Sequence, residues 1–440
     1  MSREQGVHLV GVAGAGMSPL AQALLAAGRR VSGSDRYLDQ GRQLEVLDKL
    51  RRAGVRLAAQ DGSGVRPDTA AVVVSTAIEP DNPDLAAAAR LGVPVVHRAR
   101  MLARLLEGTE CIAVTGTSGK TTVTGLMGHL LAQLGEEPTV VNGGIVRDWE
   151  SERAVGNFRA GRSTRWVVEA DESDRSLLHY RPQWAIVTNV SADHFALEET
   201  RELFRRFIAR VQRGVVGPLA DSDAGRAFRP RLSARGARFV YRGQAFRVPL
   251  LGRHNAENAL QAVLLCERLG HPLDAVAAAL RSFGGIRRRL EVAGSANGVT
   301  VIDDYAHNPA KIRAAWQAVA PHYRRVLAVW RPHGFGPLAA MFDRLARLFA
   351  QVAAAGCPRL YLLPVYYAGG TATATVTSQA LARRLADDGA PAELVPDADR
   401  LVARLCEEAR PGDAVLSMGA RDPDLPALAR RIVEAMEQRG

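Results

Sequence analysis

Between an apolar run and a stretch with helical spacing stands the string Val114-Thr115-Gly116-Thr117-Ser118-Gly119-Lys120-Thr121-Thr122. Glycines let backbone N–H groups wrap a phosphate, the helix N-terminus adds its dipole, and Lys120 places a positive charge on the β/γ oxygens. Thr121 offers a hydroxyl to Mg²⁺. The spacing departs from the standard phosphate-loop pattern, whose first glycine falls where this chain has Val114. A glycine turn that merely caps a helix needs no lysine, and the 440 residues contain three, Lys49, Lys120 and Lys311. The loop from Gly116 to Thr122 therefore reads as ATP-binding, with Lys120 as a catalytic charge.

A second set of groups belongs beside that loop. Val168-Glu169-Ala170-Asp171-Glu172-Ser173-Asp174 ends an apolar run, and a carboxylate at a strand's C-terminal end is where a Mg²⁺ ligand belongs. An acid-rich first helical turn would account for Asp171 to Asp174 but not for Glu169, which sits in the strand. Thr188-Asn189-Val190-Ser191-Ala192-Asp193-His194 ends the next strand and brings Asn189 and His194 to the same edge. The expected metal ligands are Thr121, Glu169 and His194, with Glu169 and His194 counted as catalytic beside Lys120.

Nearer the N-terminus, Gly11-Val12-Ala13-Gly14-Ala15-Gly16-Met17-Ser18 also joins a strand to a helix, and Asp35 follows about twenty residues on. The spacing is GxxGxG rather than GxGxxG, so a tight packing turn is the competing reading; Asp35 favours a nucleotide ribose and pyrophosphate. Gly14, Ala15, Gly16, Met17 and Asp35 are the expected substrate contacts. Asn255 and Asn258, i and i+3 at a helix start, offer amides that suit adenine's donor and acceptor pair. The strings 283–289, ending in Arg287-Arg288-Arg289, and 303–309, holding Asp304 and His307, point to the same nucleotide, although Asp304 and His307 also suit a cap on the helix beginning at Pro309.

The elements that must position these groups alternate between strand and helix. Strands are expected at 7–12, 30–34, 71–75 and 94–96, then at 111–115, 166–170 and 184–190, then at 299–303, 325–330, 360–364 and 414–418. Helices are expected at 19–27, 98–106, 203–213 and 255–269; residues 214–243 suggest short antiparallel strands. Alternation of this kind implies parallel sheets with ligands at their C-terminal edges. The expectation is three consecutive α/β domains, at 1–107, 108–292 and 293–440. Length agrees, at ~150 residues per domain.

Composition excludes several classes. The hydrophobic fraction is 47% and mean hydropathy -0.07, with no apolar run long enough to span a bilayer and no signal-like N-terminus. Cysteines at 111, 266, 357 and 406 are too scattered for a disulfide framework or a zinc site. The expectation is a cytoplasmic protein that does not engage a membrane. Net charge is +11, but the excess is spread as +3, +6 and +2 over the three segments, without a basic tail. That disfavours nucleic acid and suits a small anionic substrate.

Taken together, these strings resemble the Mur ligase superfamily, the ATP-dependent amide ligases of peptidoglycan precursor synthesis. The resemblance covers nearly the whole chain. The family's G-x-G-G-x-G-M-S is similar to the string beginning at Gly11, with Ala13 in place of one glycine. Its A-E-A-D-E-S-D, N-G-G and A-D-H resemble the strings at Val168, at Asn142-Gly143-Gly144 and at Ala192-Asp193-His194. Its G-R-H-N-x-x-N and F-x-G-x-x-R-R resemble those at Gly252 and Phe283.

The resemblance implies a Rossmann-like first domain holding a UDP-sugar, with Asn142 and Gly143 added to its substrate contacts. It implies a central P-loop ATPase-like domain holding ATP and Mg²⁺, with Asn255, Asn258, Arg289, Asp304 and His307 around the nucleotide. A Rossmann-like third domain would close over ATP and the amino acid. The implied reaction joins an amino acid, with L-alanine foremost, to the carboxylate of UDP-N-acetylmuramate through an acyl phosphate. The alternative within the family attaches a recycled peptide or another amine to a similar carboxylate.

This chain departs from the L-alanine-adding members at several points. Ser118 stands where they have histidine, and Asp303-Asp304-Tyr305-Ala306-His307-Asn308-Pro309 replaces D-D-Y-G-H-H-P. Pro332-His333-Gly334-Phe335-Gly336-Pro337 replaces P-H-R-Y-T-R, removing arginines expected to hold the amino-acid carboxylate. Arg331 or Arg421 could substitute. No lysine lies between His194 and Lys311, so the carbamylated lysine of some relatives is not expected.

Overall fold

The computed structural model describes residues 6–192, 195–367 and 376–439. The chain forms two compact units. One is the chain up to Arg229 with Phe239–Val248 and Glu257–Ile286; the other is Pro230–Arg238, Pro249–Ala256 and everything from Arg287 on.

The first unit carries two largely parallel sheets. The first comprises β1 (Gly6–Val10), β2 (Arg30–Ser34), β3 (Arg56–Ala58), β4 (Thr69–Val74) and β5 (Val95–His97), all parallel, in the order β3-β2-β1-β4-β5. Strand order reverses between β1 and β4, where open parallel sheets form their ligand crevice. The chain leaves β1 there, into the 11–16 loop. Helix Met17–Ala26 follows, starting before the expected residue 19 because Gly16 already serves as its N-cap.

The second sheet comprises β6 (Glu110–Thr115), β7 (Thr139–Val141), β8 (Phe158–Arg159), β9 (Arg165–Glu169), β10 (Trp184–Val187) and β11 (Gly214–Val216), in the order β11-β10-β6-β9-β7-β8. β8 runs antiparallel to β7 and the others pair in parallel. With β9 and β10 flanking β6, three C-terminal strand ends converge on the 116–119 loop. One apolar cluster joins both sheets, from Leu9, Leu24 and Val31 to Ala113, Val168 and Phe204. Buried amides tie them further: Gln22 donates to Asn157 Oδ1 at 3.0 Å and Asn157 to Ser18 Oγ at 2.7 Å.

Two expected elements shift here. β10 ends at Val187 rather than 190, because Thr188 and Asn189 turn away to bond the phosphate loop. The helix expected at 203–213 is Leu197–Ile208. Glu198 and Glu199 favour its first turn through the helix dipole, and the Arg213 N–H is drawn to Gln183 O at 2.8 Å to open β11. The 214–243 segment does hold an antiparallel pair, β12 (Arg231–Ser233) with β13 (Gly236–Tyr241), followed by β14 (Gln244–Val248).

From Arg287 on, the second unit carries one sheet of β15 (Glu291–Ala296), β16 (Val299–Asp304), β17 (Val326–Arg331), β18 (Leu360–Leu362), β19 (Ala392–Leu394) and β20 (Ala414–Gly419), in the order β15-β16-β20-β17-β18-β19. β15 is antiparallel to β16 and starts at Glu291, so the strand spans the expected 292/293 border. Its register slips between Val292 and Gly294, which removes the alternation that would mark a strand in sequence. Along β16, β17 and β20 successive residues serve opposite layers. Val301, Leu327 and Val415 pack with helices Ala398–Glu408 and Leu425–Glu437, whereas Ile302, Ala328 and Leu416 pack with Pro309–Val319, Phe335–Ala354 and Ser378–Asp387. Among the described residues no helix is long and apolar enough to cross a membrane.

Candidate active site

The 116–119 loop is clamped by the chain that leaves β10. Thr117 N–H donates to Asn189 O and Ser118 N–H to Asn189 Oδ1, both at 3.1 Å. Thr188 Oγ1 donates to Ser118 O at 2.6 Å, and Asn189 Nδ2 donates to the same oxygen at 2.9 Å. Gly116, at φ 131°, lies where a Cβ would come 2.0 Å from Thr188 Oγ1, and Gly119, at φ 85°, where one would come 2.6 Å from Asn258 Oδ1. The glycines are thus required by close neighbours as well as by backbone angle. Asn258, expected at adenine, lies against the loop at Gly119.

Lys120 opens helix Lys120–Gln133 and folds back over the loop. Its Nζ donates to Gly116 O at 3.0 Å and to Glu172 Oε2 at 2.5 Å, with Asp171 Oδ1 at 3.9 Å. Burial opposes its charge, but Glu172, Asp171 and Glu169 outweigh burial and hold the ammonium above its ordinary value. A largely buried cation left unpaired would cost about 3–5 kcal/mol, and Glu172 prevents this. Glu172 Oε1 is buried and has no hydrogen-bond partner among the described residues. The carboxylate thus takes the place beside Lys120 that phosphate oxygens suit.

Glu169 is fixed on both oxygens. Thr121 Oγ1 donates to Oε1 at 3.1 Å, and Gly143 N–H donates to Oε2 at 2.8 Å. A Cβ at Gly143 would stand 2.6 Å from that oxygen, so Gly143 acts at this edge through the position of Glu169. Asn142 is buried, donates to Gly144 O at 3.0 Å and leaves Oδ1 without a partner among the described residues. A threonine hydroxyl beside one carboxylate suits Mg²⁺, which takes one or two carboxylates and fills the rest of its shell with water and phosphate oxygens. His194, the third expected ligand, lies outside the described residues.

The first loop binds differently. Met17 and Ser18 N–H groups bond back to Gly14 O, both at 2.9 Å, while the Ala15 and Gly16 N–H groups have no protein acceptor among the described residues. Asp35, expected on a ribose, is engaged by the backbone on both oxygens. It is buried, accepts from Ala13 N–H at 2.9 Å and from Tyr37 N–H at 3.1 Å, and so shapes the loop and caps helix Arg36–Asp39. Burial raises its carboxyl against those two bonds.

Arg98 was not singled out in the sequence. Its guanidinium lies 3.0 Å from where a Gly16 Cβ would be, and it donates to Asp171 at 3.4 Å and Asp174 at 3.3 Å. Burial alone would raise Asp171, but Lys120, the Ser173 N–H and Arg98 hold it below the carboxylate range. The one available signal was a string of four acids facing a single loop lysine.

Within the second unit, Arg289 lies 5.2 Å over the Tyr305 ring, and Asp304 accepts from Leu290 N–H at 2.8 Å. His307 accepts or donates at Tyr305 O, 2.8 Å away, and its ring meets His333 edge-on at 5.0 Å. Asn255 donates to Leu251 O at 2.8 Å, fixing the start of helix Arg253–Arg268. His307 and Asp304 are not the N-cap of the next helix; Asn308 is, accepting from Lys311 N–H at 2.9 Å.

Fold and loop define a phosphate-loop nucleotide-binding protein built from three successive α/β sheets. Residues 6–109 match the Mur ligase family catalytic domain, 114–244 the Mur ligase middle domain, and 288–421 the Mur ligase glutamate ligase domain. The chain belongs to the Mur ligase family. It is 36% identical to the UDP-N-acetylmuramate–L-alanine ligase of Gloeobacter violaceus, over 96% of this chain and 95% of that one. The crystal structure of the UDP-N-acetylmuramate–alanine ligase of Thermotoga maritima superposes with a TM-score of 0.82 at 26% identity, covering 99% of this chain and 100% of that one. A murein peptide ligase from Psychrobacter arcticus shares the fold with a TM-score of 0.67 at 21% identity, over 98% and 99% of the two chains.

Proposed function

We propose that the protein joins L-alanine to the lactyl carboxylate of UDP-N-acetylmuramate, converting ATP to ADP and phosphate, in the cytoplasmic supply of peptidoglycan precursors. The observation that carries the chemistry is the Lys120–Glu172 contact at 2.5 Å inside a fully clamped phosphate loop. Near-full-length similarity to an L-alanine ligase supports the substrates.

In this reading residues 1–107 hold the sugar nucleotide on the free N–H groups of Ala15 and Gly16 and the helix behind them. Residues 108–292 hold ATP on the loop, and 293–440 bring the amino acid. The substrate carboxylate attacks the γ-phosphorus, ADP leaves, and an acyl phosphate forms. The amine then attacks the acyl carbon, the acyl–oxygen bond breaks, phosphate leaves, and the amine's proton passes to solvent. Lys120, released from Glu172 by the incoming phosphates, stabilises charge on the γ-phosphoryl oxygens. A bound Mg²⁺ would be held by Thr121 and Glu169 and would neutralise phosphate charge.

ADP release with UDP-N-acetylmuramate and a panel of L-alanine, glycine, L-serine and the stem tripeptide tests the reading. Preference for L-alanine is expected. Preference for the tripeptide would transfer the assignment to peptide attachment, and no ADP release with any amine would sink it.

A further inference from the structure

The turn after β20, Gly419-Ala420-Arg421-Asp422, is fastened on every side but one. Asp422 is fully buried; its Oδ2 accepts from Arg331 Nη1 at 2.7 Å and its Oδ1 from Asp424 N–H at 2.9 Å. Arg331 also donates to Pro364 O at 3.2 Å and lies 5.5 Å over the Tyr366 ring. Arg288 donates to Gly419 O at 2.8 Å and Asp422 O at 3.2 Å, and Arg421 N–H donates to Tyr305 Oη at 3.2 Å. None of these bonds uses the Arg421 guanidinium. It is exposed and has no partner among the described residues.

Arg421 nevertheless sits at φ 62°, a left-handed backbone that favours glycine. Backbone of this kind persists where its surroundings hold it, as the bonds around this turn do. The surroundings indicate which ligand. Burial first, then Arg421 and Lys311, lower His333 to about 4; burial, Lys311 and His333 lower His307 to about 3. Both imidazoles are therefore neutral at pH 7, and the charged groups that act on them, Arg421, Lys311 and Arg289, are cations. The carboxylates nearby are committed, Asp304 to Leu290 N–H and Asp303 to Arg288. The edge suits a carboxylate and disfavours an ammonium.

We propose that Arg421 holds the α-carboxylate of the incoming amino acid, an assignment that rests on the ligase reading above. A guanidinium fork matches a carboxylate with two parallel bonds. Arg331, the other arginine left open by the sequence, is a positioning residue: removing it from Asp422 would strand a buried charge. The same cationic edge lowers the proton affinity of the substrate's amine, which must be free to attack.

Arg421→Gly is the decisive variant, because glycine adopts the left-handed turn without strain and the fold is kept. The KM for L-alanine should rise about 10- to 100-fold, the range for a lost charge-assisted contact. KM values for ATP and UDP-N-acetylmuramate should stay within about twofold. The parent should discriminate strongly between L-alanine and L-alaninamide, which lacks the carboxylate, and the variant should not. Arg421→Lys should fall between. An unchanged KM for L-alanine, or undiminished discrimination in Arg421→Gly, overturns the assignment and leaves the ligase reading standing. A parent that releases no ADP with any amine overturns both.

Discussion

At the C-terminal edge of the middle sheet, Glu169, Asp171, Glu172 and Asp174 surround Lys120 and Arg98, and each cation is bonded to a carboxylate. At the corresponding edge of the third sheet, His307 and His333 are neutral and Arg421 has no partner among the described residues. At the first edge each cation is already paired without ligand, so a polyphosphate there must displace an internal ion pair. At the second, the Arg421 guanidinium lacks a partner among the described residues, and a single carboxylate completes it. The lesson is that one edge is poised for exchange and the other for capture.

The sharpest way to break the comparison is Lys120→Ala. Removing a preorganised charge from the transferring phosphoryl group should lower turnover roughly 10²-fold or more, and the thermal midpoint should fall as well, because the buried Glu172 loses its cation. A folded variant within a few-fold of the parent would remove the loop from the chemistry. Next in size, Gly143→Ala drives a methyl group onto Glu169, whose oxygen lies 2.6 Å from that position. The displaced carboxylate should lower kcat about 10- to 100-fold, while L-alanine KM, set at the other edge, stays put; equal effects on both would show that the edges are not independent.

Gly14→Val probes the first loop, where a Cβ would already stand 3.1 Å from Gly11 O. Affinity for UDP-N-acetylmuramate should fall about tenfold, since backbone approach to the pyrophosphate is blocked. Calorimetric titration should find ATP affinity unchanged; parallel losses would indicate general disruption.

The last effect concerns pH. His307 and His333 take protons near 6.5 when unfolded but only at about 3 and about 4 when folded. Between pH 6.5 and 4 the unfolded chain therefore holds more protons, and stability falls with pH by up to about 1.4 kcal/mol per unit per histidine. Above 6.5 the contribution is complete. His333→Gln should flatten the decline of the urea midpoint across that window, and an unaltered slope would mean that His333 titrates normally.

Much of this was legible in the chain. The glycines and lysine of the 116–120 loop, the acids from Glu169 on, and the long βα alternations depend on neighbours in sequence, because loop angles, helix starts and apolar periods are local properties. The short strands Thr139–Val141 and Ala392–Leu394 carry too few residues to show a period, and β15 loses its alternation at the slip beside Gly294.

Which polar group meets which was decided only in the folded molecule. Asp35 reads as a ribose ligand by its place after β2, and only the fold shows that its oxygens accept from Ala13 and Tyr37 N–H. The 184–190 run looked like one strand, yet Thr188 and Asn189 leave it to hold Ser118. Arg331 and Arg421 were equal candidates by type and position. A buried Asp422 takes Arg331 and leaves Arg421 outward. The sequence by itself determined the elements and the phosphate chemistry, since these are written in spacing. Tertiary structure alone decided the pairings, because a buried charge must find its partner wherever the fold brings one within reach.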